Sequence, residues 1–219
     1  MDRSTRGARK DQVRNRQALL AAARDVFRER GIEAPLDAIA KRAGVSNATL
    51  YRHFPTRRDL VIEILLVNLA RSADALADAD VLPSAWDGLV SYLTWHFAEQ
   101  VENPAYMSAL RAVPTGENDE VDRLRDSTLE HLRRLLERAK AEGALRADRW
   151  IEDVFLVLAL NETLVHRSNQ DPGSASRRFL DLTLAALAAE PPAPNPDGTE
   201  PTAILSLRRT LGRELAGLP

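Results

Sequence analysis

The sequence contains no cysteine, which excludes disulfides, thiolate zinc sites and cysteine nucleophiles together. No apolar run approaches the roughly 18 residues that a membrane-spanning helix needs. The first ten residues, Met1 to Lys10, are basic and polar and lack the apolar centre of a secretory signal. The expected location is therefore the cytoplasm, with no membrane partner. Phosphate-binding loops, nucleophile motifs and the His-Glu-x-x-His signature are all absent, so neither a cofactor nor a metal is expected. Internal repeats are absent too, and strand signals are scarce. The seven apolar residues Val154 to Leu160 have the composition of a buried strand. Their flanking length and the lack of nearby strand partners favour a helix with little exposed surface.

What is present is ordinary in bulk and uneven in distribution. The 219 residues suffice for one large domain or two small ones, and 44% apolar with 28% charged residues is a globular composition. The net charge of −2 hides an asymmetry. Residues 1–58 hold 14 Lys and Arg against 6 Asp and Glu, a net +8, and the remainder holds 16 against 26, a net −10. A basic head on an acidic body is the pattern of a polyanion-binding module joined to a domain that does not bind polyanions.

Helical periods run the length of the chain, which predicts an all-α fold. Gln12 to Arg30 places Leu19, Leu20, Ala23, Val26 and Phe27 on one face. Short helices follow over Leu36 to Ala43 and Ser46 to Phe54. Thr56 and Asp59 have capping-box spacing and open a longer helix, Arg57 to Ala79, apolar almost all round and shared between head and body. The body continues with helices from Pro83-Ser84 to Val101, Ala105 to Val113, Val121 to Ala141, Asp148 to Arg167 and Ser174 to Ala189. The prolines at 191, 192, 194 and 196 make a stiff linker. After it, Ile204, Leu207, Leu211, Leu215 and Leu218 suggest a short tail helix. The expected organisation is a flexible basic arm (1–11), a basic head (12–58), a helical body (59–190), and a linker with tail helix (191–219).

The most informative stretch is Leu36 to Phe54. Ile39, Ala40 and Ala43 form the inner face of one short helix, and Val45, Leu50 and Phe54 anchor the next. Gly44 supplies the turn between them, and Ser46 is placed as N-cap of the second. This is a helix-turn-helix layout, whose second helix enters the major groove with its N-terminal residues toward base edges. Asn47 suits an adenine edge. Thr49, Tyr51 and His53 can donate to phosphates. Lys41, Arg42, Arg57 and Arg58 add charge, and Ser46, Ala48 and Arg52 complete the DNA-facing set. Arg3, Arg6, Arg9 and Lys10 form the basic arm, suited to the minor groove or to tracking phosphates. Plainer roles stay open: Thr49 supporting its own helix, Tyr51 packed in the core, His53 bonded to backbone, Asn47 facing solvent.

Ala43-Gly44-Val45-Ser46, then Thr49-Leu50-Tyr51-Arg52-His53-Phe54, ahead of Arg57-Arg58-Asp59-Leu60, closely resembles the TetR family of bacterial transcriptional regulators. Ala22-Ala23, Phe27 and Gly31 in the preceding helix fit as well, so the resemblance covers about residues 12–70. It implies a three-helix DNA-binding head and a helical body that dimerises and receives a small-molecule inducer. The expected partners are thus a palindromic operator, a second copy of the chain and an effector, with repression the usual direction. Thr49, Tyr51, His53 and Arg57 would contact phosphates, and Asn47 would face a base. Two positions depart from the family's pattern. Leu36 stands where a capping Thr or Ser is frequent, and Asp37, near the groove, would repel a phosphate.

Pocket candidates in the body are Tyr92, Trp95, His96, Tyr106, Met107 and Arg111, with Asn161, Glu162 and His166 interrupting an otherwise apolar helix. The last three could equally sit at a dimer interface or pair locally. The helices Asp148 to Arg167 and Ser174 to Ala189 are the expected dimer surface, two copies forming a four-helix bundle. The competing class is an enzyme using Glu162 and His166, one helical turn apart, as metal ligands or as acid and base, with Glu130 and His131 a weaker pair. An interaction adaptor with a decayed DNA head is the other alternative.

Overall fold

The structure, a computed structural model, describes residues 3–103, 105–168 and 171–189. The linker and tail helix expected over 191–219 lie outside the described residues. Among these residues there are nine helices and no strand: α1 (Arg3–Arg30), α2 (Leu36–Ala43), α3 (Asn47–His53), α4 (Arg57–Asp80), α5 (Ala85–Glu102), α6 (Ala105–Ala112), α7 (Asp119–Ala141), α8 (Ile151–Arg167) and α9 (Pro172–Leu187). The Val154 to Leu160 run lies within α8, so it is helical. None of the described helices is long and apolar enough to cross a membrane.

Local chemistry sets the helix ends. Thr56 and Asp59 form the expected capping box: the Thr56 N–H donates to Asp59 Oδ2 at 2.9 Å, and the Asp59 N–H donates to Thr56 Oγ1 at 3.1 Å. Asp153 accepts the Trp150 N–H at 2.8 Å, so α8 starts later than the sequence period suggests. Asp171 caps α9 by accepting the Ser174 N–H at 2.8 Å, with Pro172 at the first helical position, where no N–H is needed. At the other end of the chain, α1 begins at Arg3, so residues 3–11 are helical where a flexible basic arm is expected. The segment includes the weak helix formers Ser4, Thr5, Gly7 and Asp11, so what carries α1 back is elongation: extending an existing helix costs far less than nucleating one.

The chain divides into two compact units, Met1–Leu69 with Ala105–Asp122, and Ala70–Pro104 with Arg123–Pro219. The division falls inside α4 rather than at its start. The first half of that helix buries Leu60, Val61, Ile64 and Leu65, and its Glu63 pairs with Arg16 of α1 at 2.6 Å. In this first unit α1 packs on α2 and α6, and α2 packs on α3. Its buried residues include Leu19, Ala23, Val26, Phe27, Ile39, Leu50 and Phe54. In the second unit α5, α8 and α9 pack on one another around a continuous apolar cluster that includes Leu89, Leu93, Phe97, Leu135, Val154, Leu158 and Leu180. Gly88 is required there by close approach, because a Cβ at that position would lie 2.5 Å from the Ala79 carbonyl oxygen. The α7–α8 connection is tied to the end of α9 by Arg146 N–H donating to Leu187 O at 3.0 Å and Ala189 N–H donating to Ala144 O at 2.8 Å.

Candidate nucleic-acid interface

Gly44 ends α2 in the left-handed conformation, at φ 70°. Its N–H reaches the Lys41 carbonyl at 3.3 Å, and the Val45 N–H reaches Ala40 O at 3.1 Å. This pair of bonds is the Schellman pattern, and it turns the chain sharply into α3. Ser46 then caps α3, its Oγ accepting the Thr49 N–H at 3.1 Å, with the Thr49 hydroxyl 2.9 Å away. Leu50 faces inward, fully buried, and Phe54 is buried below it. The opposite face of α3 presents Asn47, Ala48, Tyr51 and Arg52 to solvent. Tyr51, 47% exposed, is thus an outward residue and not a packed core aromatic.

The expected cations divide into two groups. Among the described residues, Lys41 and Arg52 are exposed and make no ion pair. Arg42 is held by Glu29 of α1, with Nη2 to Oε2 at 2.7 Å and Nη1 to Oε1 at 3.0 Å, and Asp25 lies 3.9 Å off. The hydrogen bond from Arg42 keeps the Glu29 carboxyl below its usual range. Arg58 pairs with Glu117 of the α6–α7 connection. Arg57 turns its Nη1 onto the carbonyls of Ile32 and Ala34, each at 2.7 Å, and so fastens the loop that leads into α2. The sequence contained both halves of each pair, but nothing in its local spacing joins Arg42 to Glu29 or Arg58 to Glu117.

His53 is half-buried beside Phe54. Burial first, then the nearby charges of Arg16 and Arg52, lower its pKa below the ordinary imidazole value. At neutral pH it therefore offers a neutral imidazole N–H. Asn47 is not free in solvent: its Nδ2 donates to Asp37 Oδ1 of α2 at 3.1 Å. Sequence reading took Asp37 only as a charge hostile to phosphate and missed this bond, because ten residues and a turn separate the partners.

This head is matched over residues 19–64 by the family model described as bacterial regulatory proteins, tetR family. Residues 84–189 match the model of the transcriptional regulator SbtR-like C-terminal domain. A TetR transcriptional regulator from Streptomyces coelicolor, SCO0520, is 32% identical, with a TM-score of 0.59, over 81% of this chain and 99% of that one. The chain belongs to the TetR family of transcriptional regulators. A TetR regulatory protein from Mycobacterium vanbaalenii is 25% identical, with a TM-score of 0.55, over 83% of this chain and 99% of its own. The transcriptional activator FasR of Mycolicibacterium smegmatis is 44% identical over 61 residues. That match spans 27% of this chain and only 28% of FasR. Membership of a family of regulators sets the enzyme reading aside.

The expected pocket residues fall into two groups. Tyr106 and Arg111 belong to α6 in the first unit, the former buried and the latter exposed. Tyr92, Trp95 and His96 lie on α5 in the second unit. Tyr92 Oη is 3.2 Å from Ser72 Oγ, and the His96 ring packs edge-on against both Tyr92 and Trp95 with centroids 5.8 Å apart. Burial lowers the His96 pKa to about 4, so this side chain is neutral at physiological pH. Asn161 of α8 donates through Nδ2 to Gln100 Oε1 at 2.7 Å, and Gln100 Nε2 donates to Leu158 O at 2.9 Å. Glu162 is buried and lies 3.8 Å from His166 of the same helix. Sequence reading missed Gln100 and also Glu99, a buried carboxylate paired with Arg71 at 2.5 Å. Both sit on α5 among apolar neighbours, and the interruption they make in its pattern was the available signal.

Proposed function

We propose that this TetR-family regulator binds a palindromic operator as a homodimer, represses from it, and releases it when a small molecule occupies the second unit. The observation that carries the reading is the exposed face of α3: a capped helix with Leu50 inward presents Asn47, Ala48, Tyr51 and Arg52 outward. Lys41 and Arg52 supply uncommitted charge beside it, and the reading assigns the Thr49, Tyr51 and His53 donors to phosphate oxygens. The charge of Arg42, Arg57 and Arg58 is engaged within the chain, so their share in phosphate binding is smaller than their number suggests. Operator DNA is in the cytoplasm, and that is where we place the protein.

A dimer is supported by α8. Phe155, Leu156, Ala159, Leu160 and Thr163 form an exposed stripe at helical spacing, and Leu182 of α9 is exposed as well. Two such stripes would bury each other in a four-helix bundle. The paired heads would then meet successive major grooves, about 34–36 Å apart or a multiple of that. The effector reading rests on Tyr92, Trp95, His96, Asn161 and Glu162, a polar and aromatic set inside an apolar unit. An effector that favours a different head spacing weakens operator binding by linkage.

The test is selection of random duplexes by the purified protein, followed by titration of the selected site at several salt concentrations. A palindromic consensus is expected, with affinity falling steeply as salt rises because neutralised phosphates release counterions. Recovery of no consensus, or affinity indifferent to salt, refutes the reading.

A further inference from the structure

The geometry points to Asp37 as a positioning residue for base readout: its carboxylate orients the Asn47 amide so that α3 selects adenine at one position of each half-site. This rests on the operator-binding reading above and adds a residue to it.

The argument begins with the symmetry of a primary amide. The Oδ1 and Nδ2 ends of an asparagine are nearly equal in size, so an exposed asparagine presents either end outward with little cost. One end is an acceptor and the other a double donor, so the two orientations read different bases. A neighbour that only accepts removes the choice. Asp37 is such a neighbour, 3.1 Å from Asn47 Nδ2. It stands in the first turn of α2, and Asn47 is the first residue of α3.

Both helices are fixed where they meet. Gly44 and Val45 close α2 with two backbone bonds, and the Ser46 side chain closes the start of α3. The pair is therefore held by the rigid turn, and each side chain has only short χ rotations left. One Nδ2 hydrogen is given to Asp37. We assign to Asp37 the Nδ2 hydrogen on the Cβ side, which leaves the other Nδ2 hydrogen beside Oδ1 on the free edge of the amide. That donor–acceptor pair matches N7 and the N6 amino group of adenine in the major groove. It does not match guanine, whose N7 and O6 both accept. Turning the amide over would point Oδ1 at the Asp37 carboxylate, acceptor against acceptor, so the mismatch is resisted by the protein itself. The negative charge that opposes phosphate binding at this position thus serves discrimination at a cost in overall affinity.

The experiment uses the full chain and the operator it selects. Wild type, Asp37→Ala, Asp37→Asn and Asn47→Ala are titrated against that operator and against each single-base substitution in a half-site, at two salt concentrations. Asn47→Ala is expected to remove the preference at one adenine. Asp37→Ala and Asp37→Asn are expected to weaken the preference at that same adenine by about ten-fold, the scale of one bidentate base contact. Preferences elsewhere should hold, and total affinity should stay level or rise as the carboxylate is lost. A purely structural role would instead lower affinity for every sequence alike, and thermal melts of the variants report it directly. An unchanged adenine preference in both Asp37 variants overturns the proposal, as does a change at a different base, or an Asn47-dependent position that is not adenine. If wild type itself selects no operator, the regulator reading fails and this proposal falls with it. A wild-type consensus with unresponsive Asp37 variants sinks the proposal alone.

Discussion

Truncation of Leu156 to alanine tests the proposed homodimer. Leu156 lies in the exposed stripe of α8 with 59% of its surface open in the single chain. Complete burial of a leucine side chain is worth about 1.5–3 kcal/mol, so covering the open part contributes about 1–2 kcal/mol per copy. A twofold interface contains the residue twice, which doubles this to about 2–4 kcal/mol. Alanine keeps one methyl, which places the expected loss in the lower half, about 2–3 kcal/mol, or roughly 30- to 150-fold in the dimer dissociation constant. Sedimentation equilibrium over a range of concentrations measures that constant directly. The single chain gains little from this side chain, so the variant's helical content should match wild type. An unchanged dissociation constant, with wild type dimeric, would show that the α8 stripe is not the dimer surface. A wild type that stays monomeric at high concentration would refute the dimer altogether.

Three further outcomes are expected. Ser46→Ala removes the side-chain acceptor for the Thr49 N–H at the start of α3 and should cost about 1 kcal/mol in chemical denaturation, with weaker operator binding. Gly88→Ala places a methyl 2.5 Å from the Ala79 carbonyl and 3.2 Å from Leu135 Cδ1. Backbone cannot easily yield there, so a loss of about 1–3 kcal/mol and a lowered Tm are expected; a variant as stable as wild type would contradict that close approach. His96 is neutral when folded, because burial lowers its pKa to about 4 from the ordinary imidazole value of 6.5. The unfolded chain therefore binds more protons between those values, and stability should fall as pH drops from 6.5 toward 4, by about 3 kcal/mol from this group. His96→Gln should flatten that part of the profile in pH-dependent denaturation, and an unaltered slope would show that His96 is not its source.

The helix-turn-helix was legible because it is local. Gly44 at the turn, Ser46 at the cap and Leu50 inward are short-range requirements, and each residue type answers to the backbone within a few positions of itself. The capping box of Thr56 and Asp59 and the nine helices of the described residues were legible for the same reason. Failures of the local reading also have local causes: elongation of an established helix carries α1 back to Arg3, and Asp153 holds α8 to a later start.

Charge and orientation were decided elsewhere. In sequence, Arg42, Arg57 and Arg58 are equal candidates with Lys41 and Arg52. Folding brings Glu29, the Ile32 and Ala34 carbonyls, and Glu117 to the first three and leaves the other two open. The pairing of Asp37 with Asn47 and of Asn161 with Gln100 arose in the same way. Helix type follows from hydrogen bonds and side-chain periods spanning about four residues, so the chain carries it within itself. Hydrogen-bond and ion-pair partners follow from distances of a few ångströms between residues remote in sequence, and only the packed structure sets those distances.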